Sequence, residues 1–169
     1  MIMTILKYGA PALRKPNQPV EKFDDGLEQL TADMFESMYA APGVGLAAPQ
    51  VGLNIRLIVI DVSGGVEPDK KLVLCNPRVI ASEGEQEGEE GCLSVPEFYE
   101  KLTRPMKVAI EAQDVKGESF TIEGEGLLAR AICHEMDHLE GVMFVDRLSP
   151  LRRTLVRGKI KKLIRAGKW

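Results

Sequence analysis

Both histidines of this 169-residue chain stand four positions apart, in Ala131-Ile132-Cys133-His134-Glu135-Met136-Asp137-His138-Leu139-Glu140-Gly141. Residues i and i+4 project from one face of an α-helix, so two imidazoles at this spacing can grip one metal ion. Glu135 lies about 100° around the helix from His134 and reaches the open coordination position without being a ligand. This is the H-E-x-x-H arrangement of metal-dependent hydrolases. Packing alone is a poor account of a chain that spends its only two histidines this way. The flanks commit the stretch to a helix: Leu127, Leu128, Ala131, Ile132 and Leu139 supply an apolar face, and Gly141 a C′ stop.

Two histidines leave a zinc-type site one protein ligand short. A metzincin histidine would fall at Phe144, and the glutamate of thermolysin-like enzymes has no counterpart, since none follows Glu140. Asp146 is the only carboxylate left downstream, so the third ligand is expected upstream, as a thiolate. Three cysteines compete for the position. Cys133 points to another side of the helix, and Cys75 sits in the strand-like run Lys71-Leu72-Val73-Leu74-Cys75-Asn76-Pro77; both read as small buried residues. Cys92 follows Glu89-Glu90-Gly91, and a glycine before it permits unusual backbone geometry and close approach. Cys92 is the predicted ligand.

Composition narrows the class. An apolar content of 44% and a charged content of 28% are those of an ordinary globular domain, and the length predicts one domain over 1–169. An odd cysteine count argues against a disulfide framework. The N-terminal Met1-Ile2-Met3-Thr4 run lacks the basic region of a signal peptide, and no stretch approaches a membrane span, so the cytoplasm or an equivalent reducing compartment is expected. The net charge of −3 is uneven: residues 147–169 carry nine cations and no acid, leaving −12 on the first 146. A basic C-terminal segment can mark contact with nucleic acid, or be no more than a solvated face.

Along the chain, 1–22 reads as an irregular arm punctuated by Pro11, Pro16 and Pro19. Asp24 or Asp25 caps a helix carrying Leu27, Leu30, Met34 and Met38 and ending near Pro42. Gly43-Val44-Gly45-Leu46-Ala47-Ala48-Pro49-Gln50 mimics a dinucleotide fingerprint, but a helix precedes it and Pro49 interrupts the residues where that motif should open a helix. Strands are predicted over 54–62 and 72–80, the latter broken at Pro77, and a hairpin over 106–115 and 119–125. Glu83, Glu85, Glu87 and Glu89 alternate, placing them on one solvated face of an extended segment. Ser149-Pro150 caps a C-terminal amphipathic helix with Leu151, Leu155, Val156, Ile160 and Ile164 on one side. The whole predicts an α+β fold, mostly antiparallel strands around a central H-E-x-x-H helix, with an N-terminal helix and a C-terminal one.

Three stretches in this order, Gly43-Val44-Gly45-Leu46-Ala47-Ala48-Pro49-Gln50, Glu90-Gly91-Cys92-Leu93-Ser94 and His134-Glu135-Met136-Asp137-His138, resemble the signature motifs of the peptide deformylase family. The resemblance implies hydrolysis of the formyl group from N-formylmethionyl nascent peptides, releasing formate. It implies one divalent metal on Cys92, His134 and His138, physiologically iron(II), with zinc, nickel or cobalt able to substitute, and Glu135 as acid/base. Gln50 and the Leu93 backbone N–H are implied as stabilisers of the oxyanion. For the substrate, Gly43 and Gly45 are expected to leave backbone groups free for strand addition. Val44 and Leu128 are expected to line a methionine pocket, Glu90 and Gly91 are expected to join the substrate-binding residues, and Glu90 is expected to pair with Arg104 to hold the cysteine loop. A monomer is expected, and action on nascent chains suggests ribosome contact through the basic C-terminal helix. A metallopeptidase on the same helix would need a downstream ligand that the chain does not offer, and a structural zinc site would need a fourth protein ligand.

Overall fold

A computed structural model describes residues 1–169. In chain order its elements are α1 (Asp25–Ala40), β1 (Gly45–Ala47), β2 (Leu57–Ile60), β3 (Leu72–Glu83), β4 (Gln86–Cys92), β5 (Val95–Arg104), β6 (Lys107–Gln113), β7 (Ser119–Glu125), α2 (Leu127–Leu139) and α3 (Pro150–Arg165). Five strands form an antiparallel sheet in the order β1-β2-β3-β6-β7, and β4 and β5 pair separately. The architecture is α+β, as predicted.

Strand β2 shows why this sequence makes this layering. Successive side chains of a strand point to opposite faces. Leu57 and Val59 pack with Leu27, Met34 and Met38 of α1, whereas Ile58 and Ile60 pack with Ala129, Ile132 and Leu139 of α2. All four β2 residues are buried, so its unbroken apolar run is that of a strand covered on both sides. Each such side chain contributes about 1.5–3 kcal/mol on burial.

The helix ends follow local chemistry. The Asp24 carboxylate accepts from the Leu27 N–H at 3.1 Å, and the Ser149 hydroxyl from the Arg152 N–H at 3.3 Å, with Pro150 opening α3. Helix α2 closes on Gly141 at φ 72°, a left-handed conformation that glycine adopts without cost. There the Gly141 N–H donates to His138 O (3.1 Å) and the Val142 N–H to Asp137 O (2.9 Å), the Schellman pairing.

Four expectations are corrected. Pro77 does not break β3: Asn76 at φ 51° opens a bulge, and its side chain bonds Val20 and Gln113, so the strand runs on to Glu83. The alternating glutamates do not share one extended segment, because the chain turns at Gly84 between β3 and β4. Strand β5 is absent from the predicted elements; its outward Glu97, Tyr99 and Lys101 are exposed, masking the pattern. On α3 only Val156 and Ile160 are buried, packed with Leu13, Val95 and Phe144, while Leu151, Leu155 and Ile164 face solvent.

Candidate active site

Helix α2 lies against β1, β2 and β7, which turns one of its faces toward the end of β4. There the Cys92 sulfur and one nitrogen from each of His134 and His138 lie within 4.8 Å of one another. The Cys92 Sγ is 3.4 Å from His138 Nε2. Cys75 is fully buried among core residues, where burial pushes its thiol up to about 11, and Cys133 packs against the apolar cluster beneath α2. The structure therefore brings together the three predicted ligands and leaves the other two cysteines out. A thiolate and two imidazoles suit a divalent transition-metal ion, and three protein ligands keep a position for water or substrate.

The two imidazoles are supported differently. Glu90 lies beneath His134, its Oε2 2.7 Å from His134 Nδ1. Arg104 donates to both Glu90 oxygens, at 2.9 and 2.6 Å, and Arg130 Nη1 donates to Oε1 at 3.1 Å. Burial raises the Glu90 carboxyl, but the Arg104 and His134 hydrogen bonds outweigh it and hold the pKa down at about 2. An ionised carboxylate only accepts, so Nδ1 of His134 carries a proton and Nε2 is the nitrogen left for a metal. Burial penalises the charge of His134, yet Cys92 and Glu90 together raise its pKa well above the usual range. Burial and the neighbouring His134 push His138 well below that range, and its Nδ1 is buried without a partner. The expected Glu90–Arg104 pair is thus a buried one, and Glu90 serves His134 in addition to bordering the cavity.

Glu135 is 4% exposed, and burial pushes its carboxyl up to about 7. Its Oε2 has no hydrogen-bond partner, while Oε1 lies 3.9 Å from His134 Nε2. An orphaned carboxylate oxygen beside a sulfur and two imidazoles that converge is what a site built for a cation and a water would leave. Gln50 is fixed by its neighbours: the Ala47 N–H donates to Oε1 at 2.9 Å, so the amide nitrogen must face Ser94 Oγ (3.0 Å) and Cys92 Sγ (3.7 Å). Ser94, fully buried, was missed as a contributor although it closes the cysteine motif.

A cavity of about 770 Å³ opens over these groups, bordered by Gly43, Val44, Gly45, Leu93, Leu127 and Glu135. A side chain at any of these glycines would force a neighbouring side chain to move. A Cβ at Gly45 would stand 2.9 Å from Glu135 Oε1, one at Gly43 2.7 Å from Leu93 Cδ1, and one at Gly91 2.6 Å from the Tyr99 ring. The backbone there is less free than expected, because the Gly43 N–H donates to Met38 O and Val44 O accepts from the Asp61 N–H. Leu128 is a correction: it packs into the core cluster under α2, and Leu127 borders the cavity instead. The spacing could have shown this, since 127, 131, 134 and 138 share one helical face.

An H-E-x-x-H helix and a cysteine converging on one cavity define a metal-dependent hydrolase. A model of the polypeptide deformylase family matches residues 2–154. The peptide deformylase of Acidobacterium capsulatum is 53% identical over 169 residues, covering 100% of this chain and 99% of that protein. That of Acinetobacter baumannii is 52% identical, covering 97% and 93%. Among solved structures, a peptide deformylase from Legionella pneumophila superposes with a TM-score of 0.91 at 48% identity, covering 99% of this chain and 98% of that one. One from Synechococcus elongatus in complex with actinonin gives 0.89 at 42%, covering 94% and 88%. The chain belongs to the peptide deformylase family, hydrolases that remove the formyl group from an N-terminal methionine.

Proposed function

We propose that Cys92, His134 and His138 hold one divalent ion, iron(II) in the cell, and that Glu135 moves the proton during deformylation. The observation that carries this reading is the Cys92–His134–His138 cluster within 4.8 Å, beside the partnerless Glu135 oxygen. When bound, the ion supplies Lewis acidity and lowers the pKa of water toward neutrality. Glu135, whose burial favours the protonated carboxyl, would take a proton from the attacking water as its oxygen bonds the formyl carbon and would return it to the departing amine nitrogen as the C–N bond breaks. The Gln50 amide and the Leu93 backbone N–H receive the oxygen on which negative charge develops; one such donor is typically worth about 3 kcal/mol of barrier. Edge strand β1 offers its open side to the extended peptide, and Val44 with Leu127 receives the methionine side chain. Actinonin, held by the Synechococcus relative, is expected in the same cavity.

We read 1–169 as one domain acting as a cytoplasmic monomer. No helix is long and apolar enough to cross a membrane. The basic α3 is read as the ribosome-facing surface through Lys159, Lys161, Lys162 and Arg165, all exposed. Arg152 and Arg157 are already engaged with Glu100 and Asp146. The deciding experiment is formate release from a formyl-Met peptide with elemental analysis after anaerobic purification. Cys92→Ser is expected to lose metal and activity, while Cys75→Ser and Cys133→Ser keep one ion per chain. Glu135→Ala is expected to keep the ion and lose at least about 100-fold in turnover. Retained metal in Cys92→Ser, or an unchanged rate in Glu135→Ala, would refute these assignments.

A further inference from the structure

The hydrogen-bonded chain that begins at His134 does not stop at Glu90. Arg104, 4% exposed, turns Nη1 onto Asp137 Oδ2 at 2.8 Å. Asp137 in turn accepts a two-pronged contact from Arg147: Nε to Oδ2 at 2.6 Å and Nη2 to Oδ1 at 2.8 Å. Arg147 is 48% exposed at its side chain. The path His134–Glu90–Arg104–Asp137–Arg147 therefore runs unbroken from a buried imidazole to the protein surface.

We propose that Asp137 and Arg147 are positioning residues that act through Arg104 and Glu90 to orient His134 and set how firmly this chain keeps its metal. The inference rests on the reading of His134 as a ligand. Asp137 lies where water can compete for its oxygens, and one N–H from Arg104 does not fix a carboxylate rotamer. The planar fork of Arg147 engages both oxygens and does fix it. Should Asp137 swing outward, Arg104 keeps a buried nitrogen without an acceptor, a costly state that its guanidinium relieves only by shifting. Glu90 is bonded to that guanidinium at both oxygens, so it shifts too, and His134 Nδ1 loses its fixed partner.

Arg147 is itself well anchored. It ends the turn Phe144–Arg147, whose Asp146 accepts from Arg14 (2.5 Å), Arg157 (3.2 Å) and the Met143 N–H (2.9 Å). The first residue of that turn, Phe144, lies against the His134 ring with centroids 6.2 Å apart. One turn thus places a ring beside the imidazole at one end and grips the outer end of its hydrogen-bonded support at the other.

The test uses the full chain loaded with one cobalt(II) per molecule and challenged with a chelator. The release rate and the visible absorption of the ion are followed alongside thermal unfolding. Arg147→Ala is expected to release cobalt about tenfold faster and Asp137→Asn to approach a hundredfold, with altered absorption in both. Arg147→Lys should recover part of the loss, since it keeps the charge but not the fork. Arg152→Ala, which breaks a surface pair outside this path, should release at the wild-type rate. Wild-type release from both Arg147→Ala and Asp137→Asn would overturn the proposal, as would equal acceleration by Arg152→Ala. A shift in unfolding temperature alone would do the same. If Asp137→Asn does not fold, the exposed Arg147 pair of variants still decides. A wild-type chain that binds no cobalt would instead overturn the metal centre itself.

Discussion

His134 and His138 sit one turn apart on α2, offer the same kind of atom and are both buried, yet they are held by opposite means. Under His134 five charged side chains, Glu90, Arg104, Arg130, Asp137 and Arg147, engage one another, with the Glu90 carboxylate at the ring nitrogen. His138 has no partner at Nδ1, and its support is the packing of α2 and the Asn17 amide on the carbonyls of His138 and Leu139. One imidazole is aimed by electrostatics and the other by the backbone. The lesson is that identical residues in one motif need not be equally sensitive to their surroundings.

The comparison can be broken most severely at Arg104. Arg104→Ala leaves Glu90 and Asp137 short of a buried partner, and denaturant titration is expected to show a loss of about 3–5 kcal/mol. A loss under about 1 kcal/mol would mean the surroundings of Glu90 are wetter than their burial implies. Next in size, Glu90→Gln should weaken metal affinity about 10- to 100-fold in competition titrations. Asn17→Ala, on the other imidazole's side, should change it less than about twofold, and equal effects would erase the asymmetry. Acidification gives a third measure. The Glu90 pKa is lowered from 4.5 to about 2, so its contribution is complete above 4.5 and is lost as pH falls toward 2. The wild-type stability curve should slope downward across that window more steeply than that of Glu90→Gln. Smallest is Arg152→Ala: its pair with Glu100 is half exposed, and its removal should cost at most about 1 kcal/mol.

These contrasts explain what could be read in advance. Helix α2 was legible because rare residues at a fixed spacing coincide with an apolar face and Gly141 marks its end. That Cys92, and not Cys75 or Cys133, sits beside the two imidazoles was legible by elimination among three thiols. The support of His134 was not: Arg104, Asp137 and Arg147 come from β5, α2 and a turn, and nothing local in the sequence joins them. Strand β5 was hidden for a related reason, since a half-exposed ribbon alternates charged and aromatic residues without an apolar stripe. Leu128 was mistaken for Leu127 because neighbours on a helix differ by about 100° in direction, enough to move a leucine from cavity to core.

The family match ends at residue 154, within α3, but the chain's last residue is not a loose appendage. Trp169 donates its indole N–H to Tyr8 O at 2.9 Å and meets Phe98 edge-on, so the terminus is stitched back onto the opening arm. Clipping the protein after 154 would remove Val156, Ile160 and Trp169 together, baring greasy ground around Leu13 and Val95. Such a fragment would sooner clump with its own kind than lose its chemistry outright.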